Sequence, residues 1–595
     1  MNKLEIFRAW MRKKGVAGFI VPSGDNHFNE YTQEYSSCRR WLSGFSGSAG
    51  TVVITVHRAA LWTDSRYFAQ AAEQLEGSGI ELMKMKVIGT PSITEWLTSV
   101  LPVGAKVGVD AELFSVSEFN ALKSGFSSIA LVVSEDPFAE VWSGRAPIQF
   151  GKIRRMSEDI SGMRIKEKVA LIKERLGIEE GRRFAYILST CDDIAWLCNI
   201  RGADIFYNPL ALSFASVTDK GIVLFVGDGA VDEELKEELG KEGVMLKGYY
   251  ELESYIMELD KDAVIYMCCS KMSFKYYDIA VKAGREIVTD NIPGGVVASL
   301  KAVKNRVEIE GFEKAMLMDG VAWVKLWMYI EKGLASGVFL TESGLSEAMI
   351  AFRSECKDYL GESFSPIVAY GKNGAMPHYS SQGKADVIIK PNSFLLIDSG
   401  AQYMYGTTDT TRTFALGNIN AEQIRDYTSV LKGMISLSMA IFPKGTKGSA
   451  LDMFARGAVC AAGKLYLHGT GHGVGHNLCV HEGPQSIRME DNPVEFTPGM
   501  VTSNEPAIYV DGEYGIRIEN LILCVPKESN VYGEFYGFKT MTYIPIDKSI
   551  IDKELLGSNH LDWLNRYHAE VYSKLSPFLN TEEKAWLANK CSELC

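Results

Sequence analysis

A chain of 595 residues exceeds a single hydrophobic core, and at roughly 150 residues per domain it predicts about three or four. With 46% hydrophobic and 23% charged residues it is an ordinary folded, soluble-type sequence. A net charge of −12, with lysines and arginines scattered and no basic patch, argues against nucleic acid or an anionic membrane surface as a partner, and no apolar run reaches the ~18 residues of a spanning helix.

In chain order, MNKLEIFRAWMRKKGVAGFIV reads as an amphipathic helix leading into a strand, without the apolar core or cleavage site of a signal peptide. GTVVIT and ALWTD read as paired strands and RYFAQAAEQL as a helix, with a Gly/Ser turn region, WLSGFSGSAG, before them. That region holds no G-x-S-x-G, so a nucleophile elbow is not supported. A second α/β block opens near KIRRMSEDISGMRIKEKVALIKERL; FAYILST, GIVLFVG and AVIYMCC repeat the strand style, and CDDIAWLCNIRG follows the first of them. Both blocks run helix, strand, Asp-containing loop, Trp/Gly segment, strand, which suggests a weak internal duplication. SLKAVKNRVEIEGFEKAMLMDGVAWVKLWMYIEKGL then reads as one long helix broken at Gly333. Beyond it come the strands PIVAYG, SFLLIDSGA, TTRTFAL, MVTSNEPAIYV and GIRIENLILCV, and a helical tail around DWLNRYHAEVYSKL packed on the same domain. Eleven cysteines match no zinc spacing and read as reduced thiols of a cytoplasmic protein.

Chemistry concentrates in the last block. Asp398 follows the apolar run FLLI, and Asp409 lies in GTTDTTRTF, with a Tyr/Gly segment between them that could turn a hairpin. A carboxylate placed directly after such a run is costly to bury without a cation or a nest of donors. Glu505 and Glu519 each interrupt strand-like sequence, and Arg517 shares a strand face with Glu519. The stretch HGTGHGVGHNLCVHEGPQ holds four of the nine histidines. Written as a strand, it puts Gly469, Gly471, Gly473 and Gly475 on one face and His468, Thr470, His472, Val474 and His476 on the other. Its glycine face admits a close backbone or ligand, and neither G-x-G-x-x-G nor H-E-x-x-H is present. One dication would leave two of four carboxylate charges uncancelled, whereas two dications cancel all four. Oxygen-rich ligation with one imidazole favours Mn²⁺-like ions, with Co²⁺ or Zn²⁺ as alternatives, and a metal pair suits hydrolysis. Periodicity alone does not bring these five side chains together.

The segments LLIDSGAQYMYGTTDTTRTF, HGTGHGVGHNLCVHEGPQ, MVTSNEPAIY and GIRIEN resemble, in order, the motifs of the X-Pro aminopeptidase (aminopeptidase P) family of pita-bread metallopeptidases. CRRWLSGFSGSAGTVVIT, TDSRYF, DDIAWLCNIRGADI and DWLNRYHAEV are similar to stretches of its long, three-domain form, so the resemblance spans nearly the whole chain. It implies an α/β (α+β) protein: two related creatinase-like α/β domains over residues 1–152 and 153–303, and a pita-bread catalytic domain with a helical tail over 304–595.

By that resemblance Asp398, Asp409, His472, Glu505 and Glu519 ligate two divalent metal ions, Mn²⁺ foremost, with Asp409 and Glu519 bridging. His378 and His481 match the family's substrate-contacting histidines, and His468 and Arg517 match supporting positions beside the metals. His476 reads as a packing residue and Cys479 as core; Tyr405, where some relatives carry an acid, reads as a turn variation. The implied reaction releases the N-terminal residue from a peptide with proline second, by attack of a hydroxide bridging the metals, with Glu505 as general base and only the trans X-Pro isomer accepted. Short peptides are the expected partners, without nucleic acid or membrane, and the family implies a homodimer.

Two rival readings remain at this stage. A prolidase restricted to X-Pro dipeptides would use the same metals, but the three-block layout and the DWLNRYHAEV tail count against it. A non-catalytic pita-bread module that binds proteins would have lost its ligands, and here all five ligand types are present.

Overall fold

The computed structural model describes residues 2–381 and 385–595. The chain forms two compact units: one runs to Glu158 and resumes over Met163–Ser299, and the other takes Asp159–Gly162 and Leu300–Cys595.

The first unit holds two six-stranded sheets. In spatial order one runs Glu81–Lys84, Ala59–Thr63, Thr51–Thr55, Gly18–Val21, Lys106–Asp110, Ala130–Ser134. The other runs Val244–Gly248, Gly221–Val226, Ser213–Thr218, Phe184–Leu188, Val264–Met267, Ile287–Thr289. Each central strand pairs antiparallel with the start of a hairpin on one side and parallel with a later strand on the other. The outer pairs are parallel in both sheets. The duplication suggested by the sequence is therefore present as a repeated strand order and polarity. Parallel neighbours need helical crossovers, which cover both faces and explain why the central strands are apolar throughout. Phe19 and Val21 enter one core with Phe7, Trp10 and Met11 of the first helix, while Ile20 enters the opposite core with Trp96 and Val107.

The second unit opens with a helix over Arg306–Ala335 that runs unbroken through Gly333, contrary to the sequence reading. Gly333 falls in the last turn, where a Cβ would stand 3.0 Å from the Leu340 side chain; the glycine makes room rather than ending the helix. The break lies earlier, at 303–305. There Val303 bridges to Met500, the Lys304 N–H bonds the Gly499 carbonyl at 2.9 Å, and Asn305 caps the new helix in a capping box with Glu308.

Two antiparallel sheets position the chemistry. Asn392–Ser399 lies between Ile367–Tyr370 and Thr410–Gly417, with Asp398 opposite Thr411. The six-stranded sheet runs Ile441–Pro443, Gly533–Thr540, Asn520–Asn530, Val501–Asn504, Gly471–Gly473, Glu482–Ile487. MVTSNEPAIYV and GIRIENLILCV are each two strands rather than one. Both leave this sheet, at Glu505-Pro506 and at Ile518-Glu519, and pair again as the ribbon Ala507–Val510/Tyr514–Arg517. The tail packs as expected: Leu564, Val571, Leu575 and Leu587 share a buried core with Phe312 and Met316 of the long helix.

Among the described residues no helix is long and apolar enough to cross a membrane, and all eleven cysteines are free thiols.

Candidate metal centre

The carboxylates arrive near strand ends and at strand breaks. Asp398 ends an apolar strand, and Asp409 precedes its antiparallel partner. Glu505 and Glu519 stand at the two points where the chain changes sheets. Their backbones are still held: the Glu505 N–H bonds the Thr470 carbonyl at 2.8 Å and the Glu519 N–H bonds the Thr411 carbonyl at 3.1 Å.

His472 arrives from the glycine stretch. Only Gly471–Gly473 of that stretch is strand, a correction to the fully extended reading; after it the chain turns, with Asn477 at a φ of 47°. The glycine face is filled by neighbouring backbone, as its composition implies. A Cβ at Gly471 would lie 1.9 Å from the Ser503 carbonyl oxygen, and one at Gly473 2.4 Å from that of Glu482. His472 Nε2 lies 3.4 Å from Asp409 Oδ2 and 3.5 Å from Glu505 Oε1. Its Nδ1 faces the Gly473 carbonyl at 3.0 Å, so the neutral ring would keep its proton there and offer Nε2 to a cation, while without one Nε2 carries a proton toward the carboxylates. Asp409, His472 and Glu519 each offer a ligand atom within 4.8 Å of the others.

Supporting groups tie this set together. Arg517 Nη2 donates to Asp398 Oδ2 at 2.5 Å, Nε to Thr411 Oγ1 at 3.1 Å and Nη1 to the Tyr509 hydroxyl at 2.6 Å. Thr411 Oγ1 in turn donates to Glu519 Oε2 at 2.8 Å. His468 Nε2 meets the same Tyr509 hydroxyl at 3.0 Å, so His468 is joined to Arg517 through Tyr509. The His468 segment is held from behind by Arg456, which pairs with Asp452 and donates to the Tyr466 and His468 carbonyls at 2.6 and 3.2 Å. His481 sets its ring edge-on to that of His472, centroids 4.5 Å apart. His378 is half-buried and follows Pro377, whose carbonyl lies 3.4 Å from Arg517 Nη2.

Thr411, Ser503 and Tyr509 were missed by sequence reasoning. Ser503 Oγ accepts from the His472 N–H at 3.0 Å and donates to Glu505 Oε1 at 3.2 Å. All three lie two or four residues from a candidate ligand, and that spacing is the signal that could have found them. His476 is buried against the long helix: a Cβ at Gly311 would stand 2.8 Å from its Nε2, in keeping with a packing role. Tyr405 carries the Lys314 ammonium over its ring. Cys479, read as core, is only half-buried, because it lies in the turn between strands and not in a packed strand.

The donors fit divalent cations. Asp398 Oδ1 is buried with no hydrogen-bond partner among the described residues, although its other oxygen takes Arg517. Burial, opposed by Arg517 and reinforced by Asp409, raises the Asp398 carboxyl above its ordinary range. Burial, with Asp409, Glu505 and Asp398 nearby, holds Glu519 well above the carboxylate range. Burial also pushes Glu505 up to about 7, against the pull of His472 and Arg517. Burial disfavours a charged His472, but the Asp409 hydrogen bond and the Glu505 charge outweigh it and raise that imidazole to about 9. Asp398, Glu505 and Glu519, desolvated together with too little positive charge nearby, are held toward their protonated forms; dications would take the place of those protons.

Comparison with known proteins agrees along the chain. Residues 310–526 match metallopeptidase family M24, residues 534–594 the C-terminal region of that family, and residues 3–141 and 144–308 two models of the creatinase/prolidase N-terminal domain. A probable Xaa-Pro aminopeptidase P of Coprinopsis cinerea is 37% identical over 614 residues, covering 100% of this chain and 98% of that protein. One of Penicillium rubens is 37% identical over 607 residues, covering 98% and 97%. The crystal structure of an X-prolyl aminopeptidase from Caenorhabditis elegans, described as a cytosolic enzyme with a di-nuclear active site, superposes with a TM-score of 0.93 at 34% identity, covering 100% of this chain and 99% of that one. An Xaa-Pro dipeptidase from Bacillus anthracis, 20% identical with a TM-score of 0.50 over 64% of this chain and 99% of its own, shows the fold alone.

Proposed function

We propose, from the premise that this chain belongs to the Xaa-Pro aminopeptidase P family of the M24 metallopeptidases, a working assignment of its site residues. The chain is a metal-dependent aminopeptidase that cleaves the N-terminal residue from peptides with proline in second position, with a pita-bread domain that follows two creatinase-type domains in the sequence. The full-length likeness is to aminopeptidases, which sets the dipeptide-restricted prolidase aside. The convergence of Asp409, His472 and Glu519, with Glu505 and Asp398 beside them, carries the reading.

In the proposal Asp398, Asp409, His472, Glu505 and Glu519 hold two divalent ions; oxygen donors with one imidazole support manganese as the resident metal. When bound, the metals supply Lewis-acid polarisation of the scissile carbonyl and an acidified water. Glu505 takes the proton that water loses as it adds to the carbonyl carbon and delivers it to the proline nitrogen as the C–N bond breaks. His378 and His481 place the carbonyl and hold the charge that develops on its oxygen. His468 and Arg517 act through their partners: Arg517 orients Asp398, and His468 orients Tyr509. Proline accounts for the need for a dedicated enzyme, since an X-Pro amide has no N–H for other peptidases to grip and its ring fixes φ.

A cytoplasmic location belongs to the same proposal, supported by the free thiols and the cytosolic nematode relative. So do the homodimer implied by the family and domain limits at residues 152 and 303; the spans of the matched domains, 3–141, 144–308 and 310–526, support the latter. The experiment is a panel of X-Pro-Y and X-Ala-Y peptides given to chelator-stripped protein with Mn²⁺, Co²⁺ or Zn²⁺ restored. Metal-dependent release of X from the proline series alone is expected, with Mn²⁺ restoring most activity. Release that persists without metal would end the assignment.

A further inference from the structure

We propose that Glu482 is a positioning residue for His481, and that Lys301 and Lys304 are the clamp that holds it. The proposal rests on the substrate-contacting role assigned to His481 above.

Glu482 follows His481 directly and begins the Glu482–Ile487 strand. Its side chain is fully buried, and so are both lysines. Lys304 Nζ meets Oε1 at 2.5 Å, Lys301 Nζ meets Oε2 at 3.2 Å, and Lys304 Nζ also donates to the Lys301 carbonyl at 3.0 Å. Three ionised groups buried together are a poor source of stability, because their desolvation offsets most of their attraction. What a charge-assisted hydrogen bond from Lys304 to one oxygen, with the Lys301 ammonium beside the other, gives that methyl groups do not is direction: it holds the carboxylate in place, and with it the start of the strand.

That start decides where His481 stands. His472 pairs with Ser486, but the next residue, Gly473, pairs with Glu482, so Gly483, Pro484 and Gln485 leave the ladder. Glu482 thus occupies the place Gln485 would take in an unbroken register. The shift delivers His481 beside His472, ring against ring. The glycine stretch is cut to receive the post: a Cβ at Gly473 would meet the Glu482 carbonyl at 2.4 Å, and one at Gly475 would meet Glu482 Oε2 at 2.9 Å.

A double-mutant cycle on metal-loaded enzyme with an X-Pro-Y tripeptide tests this. With His481 present, Glu482→Gln is expected to lower kcat/KM about 100-fold, the scale of a misplaced catalytic contact, with metal content unchanged. In the His481→Ala background the same change should cost less than about 3-fold, because the group it positions is gone. Equal losses in both backgrounds would overturn the proposal while leaving the peptidase reading intact. If His481→Ala alone leaves kcat/KM at the parental value, the role of His481 falls, and the proposal with it. Should Glu482→Gln fail to fold, the charge-matched Lys304→Met/Glu482→Gln protein goes through the same cycle and is judged by the same outcomes.

Discussion

Arg517 donates to Asp398 across 2.5 Å, and the other oxygen of that carboxylate is buried with no hydrogen-bond partner among the described residues. One oxygen is thus neutralised by the protein and the other kept for a cation. Arg517→Met should leave a buried carboxylate uncompensated and cost the metal-free protein about 3–5 kcal/mol in denaturant unfolding. Arg517→Lys should not restore it, since one ammonium cannot reach Asp398, Thr411 and Tyr509 together. Parental stability in Arg517→Lys would contradict this account.

Metal-free stability should fall as pH rises. Glu505 titrates near 7 in the fold against an ordinary 4.5, so the native state keeps a proton the unfolded chain gives up; that stabilisation is whole below 4.5 and lost on the way to 7. His472, raised from 6.5 to about 9, stabilises fully below 6.5 and ceases to do so through 9. Dications replace the protons, so the gap in Tm between metal-loaded and metal-free protein should widen across this range. A gap that stays constant or narrows refutes the assignment of these groups as ligands.

Glu505→Gln should reduce kcat by about 10²–10⁴, the usual worth of a positioned proton carrier, while the metal-free protein keeps or gains thermal stability because a strained carboxylate has been removed. Turnover within about 3-fold of the parent would remove Glu505 from the proton transfer.

Gly471→Ala should be worse than its single methyl suggests. The added Cβ would sit 1.9 Å from the Ser503 carbonyl oxygen, so the strands bearing His472 and Glu505 must part. Overpacking of this kind costs about 1–3 kcal/mol or more. Isothermal titration should show weaker metal binding; unchanged affinity would mean the strands adjust without moving the ligands.

The expected preference for a trans X-Pro bond has a kinetic signature. At high enzyme concentration, hydrolysis should show a fast phase and then a slow one of roughly 10–30% amplitude over tens to hundreds of seconds, the cis fraction relaxing. Added prolyl isomerase should abolish the slow phase; a single phase at all enzyme concentrations would show that both isomers are accepted.

Much of the candidate site was legible because the proposed ligands interrupt strong patterns. Asp398 after FLLI and Glu505 and Glu519 inside apolar strands are visible as violations, and violations mark functional positions. The sheet changes at Glu505 and Glu519 were not legible, since two short strands and one long one read alike at period two. The helix break was misplaced because Gly333 has weak helix propensity, whereas the real break depends on Val303 and Lys304 pairing with residues almost two hundred positions away. The register shift that brings His481 to His472, and the lysines that reach Glu482 from 301 and 304, are long-range events with no local sequence trace.

The twice-built sheet of the first unit has a consequence for how that unit reaches its native state. Each copy offers the same template to an incoming edge strand: Glu81–Lys84 and Val244–Gly248 at one margin, Ala130–Ser134 and Ile287–Thr289 at the other. A newly made chain can therefore dock an edge into the wrong copy without violating polarity, the characteristic misassembly of repeated architectures. Unequal margins oppose the exchange, five residues in Ala130–Ser134 against three in Ile287–Thr289.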